Sequence, residues 1–215
     1  MIAQYKTLIF DCDGVVLNSN KIKTQAFFDA VKHFGEESAV ALVNYHKVNG
    51  GISRYTKIEF FITQILKKDF DESLNLDLLQ RFKEAVKTGL MTCEVAEGLE
   101  KLKQQNPNIT WLIVSGGDQV ELQELFEARD LTHYFKGGIF GSPETKESIL
   151  ERELAKNNIM RPALFLGDSK YDFQASQTAD LDFLFLTEWS EVKNCEAWCA
   201  ENKISNIRNL SSLVI

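Results

Sequence analysis

Five short apolar runs, each closed by a polar or glycine-containing turn, restrict the folds open to this 215-residue chain. They are Thr7–Phe10, Thr110–Val114, Gly138–Phe140, Ala163–Leu166 and Phe183–Leu186. Runs this short and this uniformly apolar suit strands covered on both faces, the condition of a parallel sheet. Most are followed by residues with helical spacing, at Asp118–Ala128, Glu144–Asn157, Lys170–Ala179 and Glu191–Glu201. The alternation predicts an α/β fold, an open and mostly parallel sheet with helices on both faces. Ligands of such sheets bind beyond the carboxyl ends of the strands. Asp11, Ser115 and Asp168 all fall at such ends.

Between Ser19 and Thr92 the texture changes. Helical spacing recurs at Lys21–Phe34, Glu36–Lys47, Ser53–Lys67 and Leu74–Thr88, and no strand interrupts it. This predicts a helical domain over 18–91, inserted into a core made of 1–17 and 92–215. Joints at Leu17–Asn20 and Met91–Ala96 would let the insert open and close as a lid.

Composition excludes several roles. Net charge is -7 and there is no basic block, so neither nucleic acid nor an anionic membrane surface has electrostatic support as a partner. No apolar run approaches the length of a membrane span, and Met1–Lys6 lacks the pattern of a secretion signal. The four cysteines, Cys12, Cys93, Cys195 and Cys199, form no C-x-x-C pair and read as reduced. A cytoplasmic monomer or homodimer is expected.

The chemistry concentrates where the first strand ends, in Asp11-Cys12-Asp13-Gly14-Val15-Val16. Strand alternation points Asp11 and Asp13 the same way and turns Cys12 aside. Two carboxylates so close repel unless a cation neutralises them or one holds a proton. A divalent metal would keep Asp11 ionised as a nucleophile while Asp13 moves a proton. Gly-Asp-Ser-Lys-Tyr-Asp at 167–172 adds Asp168 and Asp172 where another strand turns into a helix, and oxygen donors of this kind suit Mg²⁺. Ser115 and Gly116 follow a strand and can offer a hydroxyl and backbone N–H groups to phosphate. A helix-capping serine is the plainer alternative.

With Lys146 between them, these segments resemble the haloacid dehalogenase superfamily, in the subgroup with a helical cap after the first strand. Relatives of β-phosphoglucomutase and phosphoglycolate phosphatase are similar to it. The resemblance implies a Rossmann-like core and a Mg²⁺-dependent phosphatase acting on a small phosphorylated metabolite through an aspartyl-phosphate. It implies Asp11 as nucleophile, Asp13 as general acid/base with its main-chain carbonyl on the metal, and Lys146 as the stabiliser of phosphate charge. Asp11, Asp13 and Asp168 would hold the metal, with Asp172 in support; Gly14, Ser115 and Gly116 would lie at the phosphate. Lys170 is the rival for the lysine role. Asn49-Gly50-Gly51-Ile52-Ser53-Arg54 resembles the specificity loop, where Arg54 would grip a second anionic group; a turn with Ser53 capping a helix and Arg54 exposed is the alternative.

A phosphomutase shares these motifs, but the Asn20–Lys23 region lacks the histidine usual in such enzymes, which favours hydrolysis. A noncatalytic binding module on the same fold is the remaining reading. His33, His46 and His133 stand alone in sequence and are expected to be ordinary core or surface side chains.

Overall fold

The computed structural model describes residues 2–214. Six parallel strands form one sheet in the order β3-β2-β1-β4-β5-β6. They are β1 (Thr7–Phe10), β2 (Thr110–Asp118), β3 (Ile139–Ser142), β4 (Ala163–Gly167), β5 (Asp182–Leu186) and β6 (Asn206–Ile207). The helices are α1 (Asn20–Val31), α2 (Glu36–Val48), α3 (Arg54–Phe60), α4 (Glu72–Thr92), α5 (Leu99–Gln105), α6 (Gln119–Ala128), α7 (Lys146–Ala155), α8 (Lys170–Thr178) and α9 (Cys195–Glu201). All five expected strands form.

Strand alternation builds two cores. Leu8, Phe10, Trp111, Ile113, Leu164 and Leu166 face one side, where Leu102 of α5 and Phe126 of α6 cover them. Ile9, Leu112, Val114 and Phe165 face the other, against Ile149 and Leu150 of α7 and Ala175 of α8. The central strand β1 is therefore buried on both faces, as its unbroken apolar run requires.

A third cluster lies among α1–α4 and the turn after α3, and includes Phe27, Leu42, Ile58, Phe61 and Phe82. Two chain segments connect these helices to the sheet, and they run side by side. Leu17 bridges Val95 in antiparallel fashion, the Asn18 amide donates to Glu94 O, and the Ala96 amide donates to Val16 O.

Several expected boundaries move. Strand β2 runs on through Ser115-Gly116-Gly117 to Asp118, which caps α6 by accepting from the Glu121 amide. Helix α7 begins at Lys146, capped by Thr145. Helix α9 begins at Cys195 instead of Glu191, because the preceding loop turns its polar groups to other partners: Ser190 Oγ donates to Asp168 O, and Glu191 accepts from Thr24 Oγ1. The expected helix over Ser53–Lys67 passes from α3 into a π-helical turn at Phe61–Ile65. Helix α5 and strand β6 had no sequence signal; α5 carries only Leu99 and Leu102 inward, and β6 has two residues.

The insert is closed onto the sheet. Tyr55 Oη donates to Asp118 Oδ2 at 2.6 Å, and Arg54 Nη1 lies 2.7 Å from Glu121 Oε2. The tightest approach is backbone to backbone: a Cβ on Gly116 would sit 2.0 Å from Gly51 O. Gly116→Ala must therefore push the 49–52 loop away. Hydrogen exchange should speed up by about tenfold or more over 49–55, while β1 and β4 stay protected. Unchanged exchange in the loop would show that this contact does not hold the insert closed.

Candidate active site

Adjacent parallel strands deliver the acids to one edge of the sheet. Phe10 pairs with Leu166, so Asp11 and Asp168 emerge almost side by side past the ends of β1 and β4. The Asp11 amide still donates to Leu166 O at 2.9 Å, which ties the first acid to the sheet. Asp172 stands in the first turn of α8. Its Oδ2 accepts from the Ser169 amide and hydroxyl, and the Ser169 hydroxyl in turn accepts from the Asp172 amide. This reciprocal capping fixes the carboxylate at the helix start.

One oxygen from each of Asp11, Asp168 and Asp172 lies within 4.8 Å of the others, and all three residues are buried. Lys146 is 1% exposed; its Nζ is 2.5 Å from Asp172 Oδ1 and 2.8 Å from Asp11 Oδ1. Three carboxylates against one ammonium leave two negative charges if all are ionised. Burial, reinforced by Asp172, pushes the Asp11 pKa up to about 7 despite Lys146. Burial also raises Asp168 well above the carboxylate range, with Asp11 and Asp172 adding to the effect. Burial acts to discharge Lys146, but Asp11 and Asp172 outweigh it and raise its pKa.

These residues fit a divalent cation. Asp11 Oδ1 is buried and has no well-oriented hydrogen bond, because Lys146 approaches it as an ion pair at an unfavourable angle. Hard oxygen donors with an excess of two negative charges match such an ion. Gly14 shapes the same corner. Its φ is +76°, and a Cβ there would lie 2.1 Å from Asp168 Oδ2 and 2.4 Å from Asn20 Nδ2. No other residue type fits this turn without displacing the acid.

The Asp13 side chain takes a separate position. Its Oδ2 lies 2.5 Å from Lys23 Nζ, and its Oδ1 accepts from Ser19 Oγ at 2.6 Å. Burial would raise its pKa, but Lys23 and then Ser19 overcome that and hold it below the usual value. The side-chain cluster is thus Asp11, Asp168 and Asp172, and the Asp13 side chain stands outside it. Cys12 points into the core, as expected.

The other candidates separate. Gly116 and Arg54 line the cleft with Asp11, Asp13 and Asp168. Arg54 is not exposed on a turn: it is 7% exposed, paired with Glu121, and lies over the Phe82 ring. Ser53 does cap α3, accepting from the Tyr55 amide. Ser115 is fully buried inside β2 and accepts from the Gly117 amide; it caps no helix. Lys170 is exposed and turned toward Trp198, which leaves the lysine position to Lys146.

Sequence reasoning missed four residues. Asn20 Nδ2 donates to Asp168 Oδ2 at 2.6 Å and to Trp189 O. Lys23 holds Asp13, Ser169 holds Asp172, and His46 lies buried at the cleft instead of apart from it. Asn20 and Lys23 follow the first motif by helical spacing, so the start of α1 was the available signal. His46 had none, since α2 meets the cleft only through tertiary packing.

A pH dependence follows from the raised carboxylates. The folded protein keeps protons on Asp11 and Asp168 that the unfolded chain releases near 3.8. Metal-free stability therefore falls as pH rises from about 4 to about 7. A cation that neutralises the cluster removes this penalty, so MgCl₂ at about 10 mM should raise the melting temperature more at pH 8 than at pH 5. Equal shifts in scanning fluorimetry would contradict the cation fit.

Comparison with known proteins agrees with this geometry. The family profile described as haloacid dehalogenase-like hydrolase matches residues 8–186. No curated protein matches the chain. A solved structure described as a predicted phosphatase from Clostridium acetobutylicum is 18% identical, with TM-score 0.74, covering 97% of this chain and 96% of that one. One described as a predicted phosphoglycolate phosphatase from Haemophilus somnus is 17% identical, with TM-score 0.76 and coverage of 99% and 98%. A hydrolase from Pseudomonas syringae is 15% identical, with TM-score 0.74 and coverage of 97% and 95%. These likenesses carry the fold. With a profile match from β1 through β5 and an acid cluster at the strand ends, the chain belongs to the haloacid dehalogenase-like hydrolases.

Proposed function

We propose that the protein is a Mg²⁺-dependent phosphatase of a small phosphorylated metabolite, working through a phosphoryl group held on Asp11. The observation that carries this reading is the buried trio Asp11, Asp168 and Asp172 around Lys146, with Asp13 kept apart on Lys23. Asp11, Asp168 and the Asp13 main-chain carbonyl would hold Mg²⁺, with Asp172 beside them. When bound, the ion supplies charge neutralisation that lets an anionic ester approach a carboxylate.

A carboxylate oxygen of Asp11 attacks phosphorus, the bond from phosphorus to the alcohol oxygen breaks, and the leaving oxygen takes a proton. The Lys23–Asp13 pair holds one transferable proton beside Asp11, so Asp13 can pass it to that oxygen. Asp13 then accepts a proton from water as water attacks phosphorus. That step releases inorganic phosphate and restores the Asp11 carboxylate. Lys146 holds Asp11 in place and offsets charge on the transferred group. Residues 18–91 act as the cap: their closed contacts at Gly51, Arg54 and Tyr55 exclude bulk water and read the organic half of the substrate.

Asp11→Asn should lower hydrolysis of p-nitrophenyl phosphate with Mg²⁺ by at least about 10³-fold while the melting temperature is kept. Asp13→Asn should slow release of phosphate from Asp11, so acid-quenched samples show a protein mass increased by one PO₃ group on a peptide containing Asp11. Hydrolysis should need no bisphosphate primer. Full activity of Asp11→Asn would refute the proposal.

A further inference from the structure

Four cationic side chains line the cleft from the helical insert: Lys23, Lys47, Arg54 and Lys57. Lys23 and Arg54 are already matched, by Asp13 and Glu121, and Lys47 sits exposed at the rim. Lys57 is different. It is 2% exposed, and its only hydrogen-bond partner among the described residues is His46 Nδ1, at 2.9 Å. The Phe27 ring centroid lies 5.5 Å from its Nζ, and the charges of Lys23, Asp13 and Glu191 also act on it. Burial, with Lys23 adding to it, lowers the Lys57 pKa to about 7; in the ammonium form two of its three donors are left over.

His46 has a complementary vacancy. Burial, with Lys57 and Lys23 adding to it, pushes its pKa down to about 2, so the ring is neutral. With Nδ1 accepting from Lys57, the ring hydrogen belongs on Nε2. That atom is buried and has no hydrogen-bond partner. Glu191 Oε2 is 3.8 Å away, beyond hydrogen-bond reach, and already accepts from Thr24. His46 is 7% exposed and lines the same cleft as Asp11 and Asp168.

Keeping a cation and an unpaired N–H inside a protein is costly, and an apolar side chain packed on Phe27 would avoid that cost. A purely structural tie between α2 and α3 would account for the Lys57–His46 bond but leaves His46 Nε2 without a purpose. We propose that Lys57 and His46 form a subsite for a second anionic group, carried by the alcohol half of the substrate. The substrate class is then a phosphomonoester whose alcohol bears a carboxylate or another phosphate. This proposal rests on the phosphatase reading for the site where the ester is cut. It also moves the anion-gripping role expected of Arg54 to Lys57, since Arg54 is held by Glu121.

The test uses three esters that differ only in the second group: ethylene glycol monophosphate, phosphoglycolate and ethylene glycol bisphosphate. The wild-type chain with Mg²⁺ should favour one of the two charged esters over the neutral one by about 30-fold or more in kcat/KM. The favoured arm distinguishes carboxylate from phosphate. Lys57→Met should cut that preference by about tenfold or more, mainly through KM, and His46→Phe should cut it less. Lys57→Gln, which keeps a donor without the charge, should recover only part.

No preference in the wild type, or a preference untouched by both Lys57 variants, overturns the subsite. Calorimetric affinities of the same esters for Asp11→Asn, alone and combined with Lys57→Met, separate the two readings. A Lys57-dependent affinity ratio without wild-type turnover keeps the subsite and removes the phosphatase. Turnover without that ratio does the reverse.

Discussion

Everything at this site depends on forcing three carboxylates together at the end of a dry sheet. Asp11, Asp168 and Asp172 are buried within reach of one ion, and a single lysine stands against them. Lys146 alone leaves the cluster over-negative, and protons or a divalent cation must supply the difference. In the proposed function the same crowding would serve reactivity: Asp11 would be a usable nucleophile once a cation replaces its proton, and an anionic ester could then approach.

The sheet makes this crowding possible at tolerable cost. Strands β1 and β4 are neighbours in parallel register, so the residues just past their ends are fixed by several backbone hydrogen bonds and by apolar layers on both faces. Gly14 turns the chain where a side chain would collide with Asp168, and the Ser169–Asp172 capping pair anchors the third acid. Asp13 is separated from the cluster by its own cation, Lys23. Two acids two residues apart thus have opposite pKa shifts: burial raises Asp11, and an ion pair lowers Asp13. The ion pair keeps Asp13 ionised, whereas Asp11 needs a cation in place of its proton to be so.

The insert completes the arrangement from the other side. Its own apolar cluster makes it a separate packing unit, joined to the sheet by two linkers that run side by side. Closure brings cations from α1 and α3 against acids of the core: Lys23 to Asp13, Arg54 to Glu121. Lys57 and His46 come to the same cleft without such partners. In the proposed function, the chemistry that cuts the ester would belong to the sheet, and recognition of what is attached to it to the insert.

Local sequence determined the sheet and its acids. Uniform apolar runs between turns suit a parallel sheet, and strand ends then place Asp11 and Asp168 at one edge, whereas Ser115 lies inside β2. The glycine after Asp13 marked a tight turn for the same local reason. Tertiary packing alone decided the rest. Lys146 became a buried partner of two acids because α7 docks beside α8, although its spacing reads as surface. Ser115 and Gly116 stayed in strand β2 because Ser142 Oγ donates to Gly116 O across to β3. Arg54, Lys57 and His46 owe their positions to helices that meet only when the insert folds and closes. No period in a single chain encodes which face of α2 or α3 will look at a site built from residues far away in sequence.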